Sequence, residues 1–320
     1  MDFSRRGAMA AMAAAGLTGC SKPEPAKPKA APAALATSEG RAAVPGGSVH
    51  WKTIGAGPKT PLLLLHGGPG AGHNYLEPMG ALGDERPVIL YDQLGCGRAD
   101  SPADEKIYTI QRAVDEVDAV RKALGLEKIV LFGNSWGSML AIEYLCQGRG
   151  AGVEKLVLSG ALASVPQTVA GMQRLIAALP DGKGQRLHEL EAANQEASPE
   201  YQDIVKLFYD THLCRADPTG KFAESGEIVA KSIAYRVMNG PNEFTITGVI
   251  KDWDRRKDLG KITLPTLITT GEFDEVTLDC HETIRDGIKG SRLEVMKGCS
   301  HATMDEKPAD YNALVRGFIT

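Results

Sequence analysis

The chain has 320 residues, room for one large domain or a domain with an insertion, and it supports a substantial core. Its 36 basic and 40 acidic side chains leave a formal net charge of -4, so no basic field invites nucleic acid and the partner expected is a small molecule or a peptide. No apolar run within the folded part is long enough to span a bilayer.

The first residues differ in kind from the rest. Ser4-Arg5-Arg6-Gly7 precedes a small, apolar run that Leu17-Thr18-Gly19-Cys20 closes. A charged head, a short apolar middle and small residues before a cleavage point make an export signal over 1–20, to be left out of the fold. The arginine pair is similar to a twin-arginine signal. Leu17-Thr18-Gly19-Cys20 resembles a bacterial lipobox, which implies cleavage before Cys20 and lipidation of its thiol. The expectation is an exported bacterial protein, a periplasmic or cell-envelope lipoprotein that meets a membrane only through its N-terminal lipid anchor. A plain secretory peptide with an incidental cysteine is the alternative. Residues 21–43, rich in Ala, Pro and Lys, have too little apolar content to pack and read as a flexible tether. The later cysteines, Cys96, Cys146, Cys214, Cys280 and Cys299, are odd in number and show no Cys-x-x-Cys spacing, which argues against a zinc site; one disulfide is possible, without a pairing that sequence can assign.

Residues 49–54 read as the opening strand of an antiparallel edge. Pro61-Leu62-Leu63-Leu64-Leu65 is a continuous apolar run, as in a strand covered on both faces of a parallel sheet. It ends in His66-Gly67-Gly68-Pro69-Gly70, where glycines let backbone N–H groups approach a ligand closely. A second buried strand, 87–91, ends at Asp92-Gln93-Leu94-Gly95-Cys96-Gly97-Arg98. Apolar residues at helical intervals over 110–124 stop at Gly125.

The run Ile129-Val130-Leu131-Phe132 leads into Gly133-Asn134-Ser135-Trp136-Gly137, and a helical pattern follows. A strand, Gly-x-Ser-x-Gly and a helix make a nucleophile elbow, in which a strained turn exposes one serine hydroxyl at a helix N-terminus. Strands alternating with helices indicate a mostly parallel sheet with right-handed crossovers. The alternation stops over 161–261, which is polar, often aromatic and helical in pattern. This stretch reads as a cap inserted above the strand ends, between core segments 44–160 and 262–320. Strands resume with 264–270, which delivers Gly271-Glu272-Phe273-Asp274-Glu275. After the strand 293–296, Ser300-His301 falls in a loop before the last helix.

The order Ser135, Asp274, His301 matches the serine, acid, histidine order of the α/β-hydrolase fold, the fold class expected here. A serine hydroxyl needs a base within reach and an acid that fixes the base's tautomer. His301 would take and return the proton while Asp274 orients its ring. The oxyanion hole falls to the N–H of Gly67 or Gly68 together with that of Trp136, and His66 shapes the loop. The other histidines, His50, His73, His188, His212 and His281, have no comparable context and are taken as structural, and no cluster along the chain has metal-ligand spacing. No metal and no cofactor are expected.

His66-Gly67-Gly68-Pro69-Gly70, Asp92-Gln93-Leu94-Gly95-Cys96-Gly97-Arg98 and Gly133-Asn134-Ser135-Trp136-Gly137 together resemble the proline iminopeptidase family, over roughly residue 49 to the C-terminus. Met238-Asn239-Gly240-Pro241-Asn242-Glu243-Phe244 and Gly271-Glu272-Phe273-Asp274-Glu275-Val276-Thr277 look most like the branch containing the tricorn-associated aminopeptidase. In that branch two glutamates hold the substrate's free amino terminus, and they match Glu243 and Glu275 here. The resemblance implies a serine aminopeptidase acting on short peptides or amino-acid amides with a free N-terminus, with Trp136 and cap aromatics around the first side chain. Ser138, Leu94 and Ala99 depart from residues common in the family, so removal of an N-terminal residue is implied more firmly than a preference for proline. An amidase or esterase on the same machinery and a catalytically silent hydrolase-fold binding protein are the alternatives.

Overall fold

The computed structural model describes residues 35–216 and 220–320. The export signal, the lipobox with Cys20 and the first part of the tether lie outside the described residues. The end of the predicted tether is corrected: Thr37–Val44 is strand β1, paired antiparallel with β2 (Gly47–Ile54). Of its side chains β1 buries only Ala42, so backbone pairing holds it in place and no apolar pattern marks it.

Six further strands follow: β3 (Leu62–Leu65), β4 (Val88–Asp92), β5 (Ile129–Asn134), β6 (Val153–Ser159), β7 (Thr266–Gly271) and β8 (Arg292–Met296). The sheet order is β1-β2-β4-β3-β5-β6-β7-β8. β2 runs antiparallel to β1 and β4, and every pair from β4 to β8 is parallel. Helices α1 (Ile110–Ala123) and α2 (Trp136–Cys146) flank β5 in sequence. Between β6 and β7 come α3 (Val165–Ala177), α4 (Lys183–Ala192), α5 (Pro199–His212), α6 (Lys221–Lys231) and α7 (Ile233–Met238). α8 (Leu278–Gly287) precedes β8, and α9 (Thr303–Glu306) and α10 (Pro308–Ile319) close the chain.

All residues of β3, β4, β5 and β7 are buried, because the sheet is covered on both sides. Alternate residues feed two cores. Leu63, Leu65, Ile89, Tyr91 and Leu131 pack with α1, α2 and α8, whereas Leu62, Leu64, Val88, Leu90 and Phe132 pack with α9 and α10. Of the inserted helices, α3, α4 and α5 share a core of their own, in which Met172, Ile176, Leu187, Leu190, Ile204 and Phe208 meet Phe244, whereas Ala234 and Met238 of α7 join the core on the α2 side. The insertion is shorter than expected. Ile250, Trp253 and Leu259 belong to the core on the α2 side, and Arg255 and the Trp253 indole both bond the Glu143 carboxylate on α2. The chain from about 246 to 261, expected as cap, therefore packs on the hydrolase core. All five described cysteines are free thiols.

Candidate active site

The elbow is built by close backbone approach. A Cβ on Gly133 would sit 2.3 Å from the Gly137 carbonyl oxygen, and one on Gly137 would sit 2.0 Å from that of Leu65. Any side chain at either place would push β5, α2 and β3 apart. Between them Ser135 adopts φ 53°, ψ -123°, a strained conformation held by its N–H bond to Ser159 O at 3.0 Å. Ser138 supports the turn from within α2: its hydroxyl donates to Ser135 O at 2.6 Å and accepts the Leu162 N–H at 3.3 Å.

The oxyanion loop is held from behind. Buried His66 accepts the Gln93 N–H at Nε2 (3.0 Å), and its Nδ1 lies 2.9 Å from Gly67 O, so the neutral ring donates at Nδ1. Burial pushes this imidazole down to about 4, which keeps it neutral. The Gln93 side chain bonds His66 O and accepts the Trp136 indole N–H at 2.8 Å, tying the loop to the elbow. Tyr75 then separates the two candidate donors. Its hydroxyl accepts the Gly67 N–H at 2.7 Å and donates to Asn134 Oδ1 at 2.6 Å. Gly67 is thereby removed as a donor, and the N–H groups of Gly68 and Trp136 remain without a hydrogen-bond partner among the described residues. The Trp136 ring itself is buried in the core and does not line the cavity, which corrects its expected place around a substrate side chain.

Asp274 and His301 meet across the ends of β7 and β8: Asp274 Oδ1 lies 2.7 Å from His301 Nδ1, and its carboxylate also takes the Val276 N–H and the Thr270 hydroxyl. Burial alone would raise the Asp274 carboxyl, but the His301 charge and hydrogen bond outweigh it and hold the group below its usual range. His301 Nε2 is buried without a hydrogen-bond partner and, with Ser135, lines a cavity of about 770 Å3. Gly68, Glu243 and Glu275 line the same cavity. The structure thus gathers Ser135, Asp274, His301, Gly68, Trp136, Glu243 and Glu275 around one place.

Two carboxyl groups stand beside the imidazole in largely apolar surroundings. Glu275 is buried, with Oε1 3.9 Å from His301 Nε2 and Oε2 unpartnered. Glu243 accepts the Tyr235 hydroxyl at 2.9 Å. Burial raises both carboxyls, partly opposed by Tyr235 and His301 at Glu243 and by His301 at Glu275. Burial would lower His301, but Asp274, Glu275 and Glu243 overcome it and push the imidazole up to about 9.

Several positioning residues escaped sequence analysis. His281, taken as merely structural, accepts the Ala161 N–H at 2.9 Å. It fixes the turn in which Gly160 lies under His301, so close that a Cβ there would be 2.5 Å from His301 Cε1. The His212 carbonyl at the end of α5 accepts the N–H groups of both Glu275 and His301, so the inserted helices hold the loops of acid and base. Tyr75 and Tyr235 carry no motif at all, and only the folded chain reveals their partners.

An open, mostly parallel sheet, a strained serine elbow after its central strand and an acid–histidine pair beyond later strands define the class as α/β-hydrolase. Residues 60–308 match the model of the alpha/beta hydrolase fold. Within that class the chain belongs to the proline iminopeptidase family. It is 44% identical over 264 residues to a proline iminopeptidase of Thermoplasma volcanium, covering 82% of this chain and 89% of that one. With a proline iminopeptidase of Saccharolobus solfataricus the identity is 43%, covering 81% and 84%. The crystal structure of proline iminopeptidase from Mycobacterium smegmatis superposes with a TM-score of 0.83 at 35% identity, over 88% of this chain and 97% of that one. That of VinJ gives 0.84 at 33% identity, over 88% and 98%.

Proposed function

We propose that the protein is a serine aminopeptidase that releases an N-terminal residue, proline or another small or hydrophobic one, from short peptides through an acyl-enzyme. The observation that carries this reading is the pair of carboxylates, Glu243 and Glu275, in the cavity shared by Ser135 and His301. A substrate ammonium is costly to bury without nearby anions, so such a pair selects peptides by their free end and fixes the first peptide bond over the serine. His301 takes the Ser135 proton as Oγ attacks the first carbonyl carbon. The oxyanion forms against the Gly68 and Trp136 N–H groups, each such donor contributing about 3 kcal/mol. His301 then protonates the leaving amine, and a water attacks the acyl ester by the same route in reverse, while Asp274 keeps the ring oriented.

The test has two arms. A fluorophosphonate should label the wild-type chain and leave Ser135→Ala unlabelled; no labelling of folded wild-type protein favours a silent binding protein. Prolyl, alanyl and leucyl arylamides should be cleaved, and their N-acetyl forms should not. Turnover indifferent to acetylation means an amidase or esterase without an ammonium clamp.

The site at the membrane is a separate proposal, supported by Leu17-Thr18-Gly19-Cys20 alone: export, cleavage before Cys20 and lipidation that holds the enzyme at the cell envelope. One acyl chain holds weakly and several hold firmly. Cys20→Ser should release the protein from membranes, and unchanged membrane retention would refute the anchor.

A further inference from the structure

A second cluster of chemistry-bearing residues lies behind the oxyanion loop, and none of its members lines the catalytic cavity. His50 on β2 stands opposite Asp92 at the end of β4 in the antiparallel register. His73 follows the glycine-rich loop and donates its own N–H to Asp92 Oδ1 at 2.8 Å. All three are buried, and one ligand atom from each lies within 4.8 Å of the others. The residues are far apart in sequence, so the spacing that argued against a metal site along the chain does not reveal them.

The geometry is that of a ligand set with its outer supports. His73 Nδ1 lies 2.8 Å from Asp92 Oδ1 and His50 Nδ1 lies 3.7 Å from Asp92 Oδ2, so both rings turn the same nitrogen toward one carboxylate. Behind each ring stands a second acid, near but not hydrogen-bonded: Glu39 Oε2 is 3.4 Å from His50 Nε2, and Glu77 Oε1 is 3.8 Å from His73 Nε2. A carboxylate behind each ligating imidazole is how metal sites fix tautomer and ring direction. Arg98 and Lys52 anchor those two acids from outside. The telling feature is His50, which is 4% exposed yet has neither ring nitrogen in a hydrogen bond among the described residues. A buried imidazole with two idle nitrogens is costly unless something fills the place it points to.

We propose that His50 Nδ1, His73 Nδ1 and the Asp92 carboxylate bind one divalent cation of the zinc class, with water completing a tetrahedral shell. Two imidazoles and a carboxylate suit Zn2+ or Co2+ rather than Ca2+ or Mg2+, which prefer oxygen ligands. Bonds of about 2 Å to each ligand need them about 3.3 Å apart, so the 3.7 Å pair of His50 and Asp92 draws in and the 2.8 Å pair of His73 and Asp92 opens, each by about half an ångström. Coordination moves the His73 ring proton from Nδ1 to Nε2, on the side where Glu77 stands, and replaces the bond between His73 Nδ1 and Asp92 with two bonds to the metal. The ion clamps β2, the oxyanion loop and β4 together and takes no part in the peptide chemistry.

The test uses the tag-free full chain, stripped with a chelator and titrated with Co2+ by visible absorption and with Zn2+ by calorimetry. One saturating equivalent, tetrahedral Co2+ bands and a melting temperature raised by Zn2+ are expected. His50→Gln and His73→Gln should weaken binding about a hundredfold or more. His301→Gln should bind as the wild type does. The proposal is overturned if the wild type takes up no stoichiometric ion, a result that does not depend on how the variants fold. It is equally overturned if binding survives in His50→Gln, or is lost in His301→Gln, which would place the ion at the active site.

Discussion

Glu275 faces both the cavity and the catalytic imidazole, so replacing it by glutamine should affect two substrates in opposite directions. Its Oε1 lies 3.9 Å from His301 Nε2. At that separation a full charge is worth about 4 kcal/mol for an effective dielectric of about 20, a ceiling of roughly 3 pH units on the imidazole. Burial raises the Glu275 carboxyl well above its usual range, so its hold on the imidazole in the free enzyme lies below that ceiling. The sign follows from His301, which burial would lower but which its acidic neighbours push up to about 9. A protonated ring cannot take the Ser135 proton, so kcat/KM rises with pH toward that value. Glu275→Gln lowers the imidazole and moves the acid limb to lower pH.

The assay is kcat/KM against pH for two substrates, an aryl ester without an amino group and a prolyl arylamide. Near neutral pH the variant should hydrolyse the ester up to about tenfold faster, because more of its His301 is neutral. The arylamide shares that gain but loses about 30- to 150-fold, because one charge-assisted contact with the ammonium, about 2 to 3 kcal/mol, is gone, so its net fall is about 3- to 150-fold. In the wild type, the ammonium offsets the carboxylates that hold the His301 proton, so the acid limb of kcat should lie below that of kcat/KM for the arylamide. If both substrates slow in parallel, or the acid limb stays in place, Glu275 does not govern the base.

Tyr75→Phe leaves the buried Gly67 N–H and Asn134 Oδ1 without their partner. A loss of about 1 to 3 kcal/mol in stability by urea unfolding is expected, with kcat falling by a similar factor for ester and arylamide; an effect confined to one substrate would place Tyr75 in substrate binding instead. Gly160→Ala puts a Cβ 2.6 Å from His301 Nδ1 at a residue with φ +51°. Fluorophosphonate labelling should slow at least about tenfold because the ring is displaced, and an unchanged rate would show that the loop yields. Phe208→Ala opens the core of the inserted helices, where its ring lies 5.4 Å from that of Phe244, next to Glu243. About 3 to 5 kcal/mol should be lost in urea unfolding and KM for the arylamide should rise, whereas unchanged KM would uncouple that core from the carboxylate.

What sequence could show here was whatever the chain encodes locally. β3, β4, β5 and β7 are continuous apolar runs because both their faces are covered, and the elbow glycines stand beside the serine they serve. β1 is the opposite case: its place depends on pairing with β2, and its exposed, polar side chains carry no mark of that. The end of the insertion was also hidden, since Ile250 and Trp253 could pack on either helical cap or sheet core by composition alone.

The chemistry of the site divides along the same line. Ser135, Asp274 and His301 are readable because each follows a strand end in a fixed order, whereas the choice between Gly67 and Gly68 is made by Tyr75, a residue without a motif. The base itself is set by distance: a histidine's place in the chain says nothing of the three carboxylates that surround it, and these decide whether its ring is neutral or charged. Under the proposed clamp at Glu243 and Glu275, selecting the free amino terminus and readying the base draw on the same acids. A substrate ammonium that pairs with Glu243 and Glu275 weakens their hold on the His301 proton, so recognition of the peptide's end and activation of Ser135 are one electrostatic event.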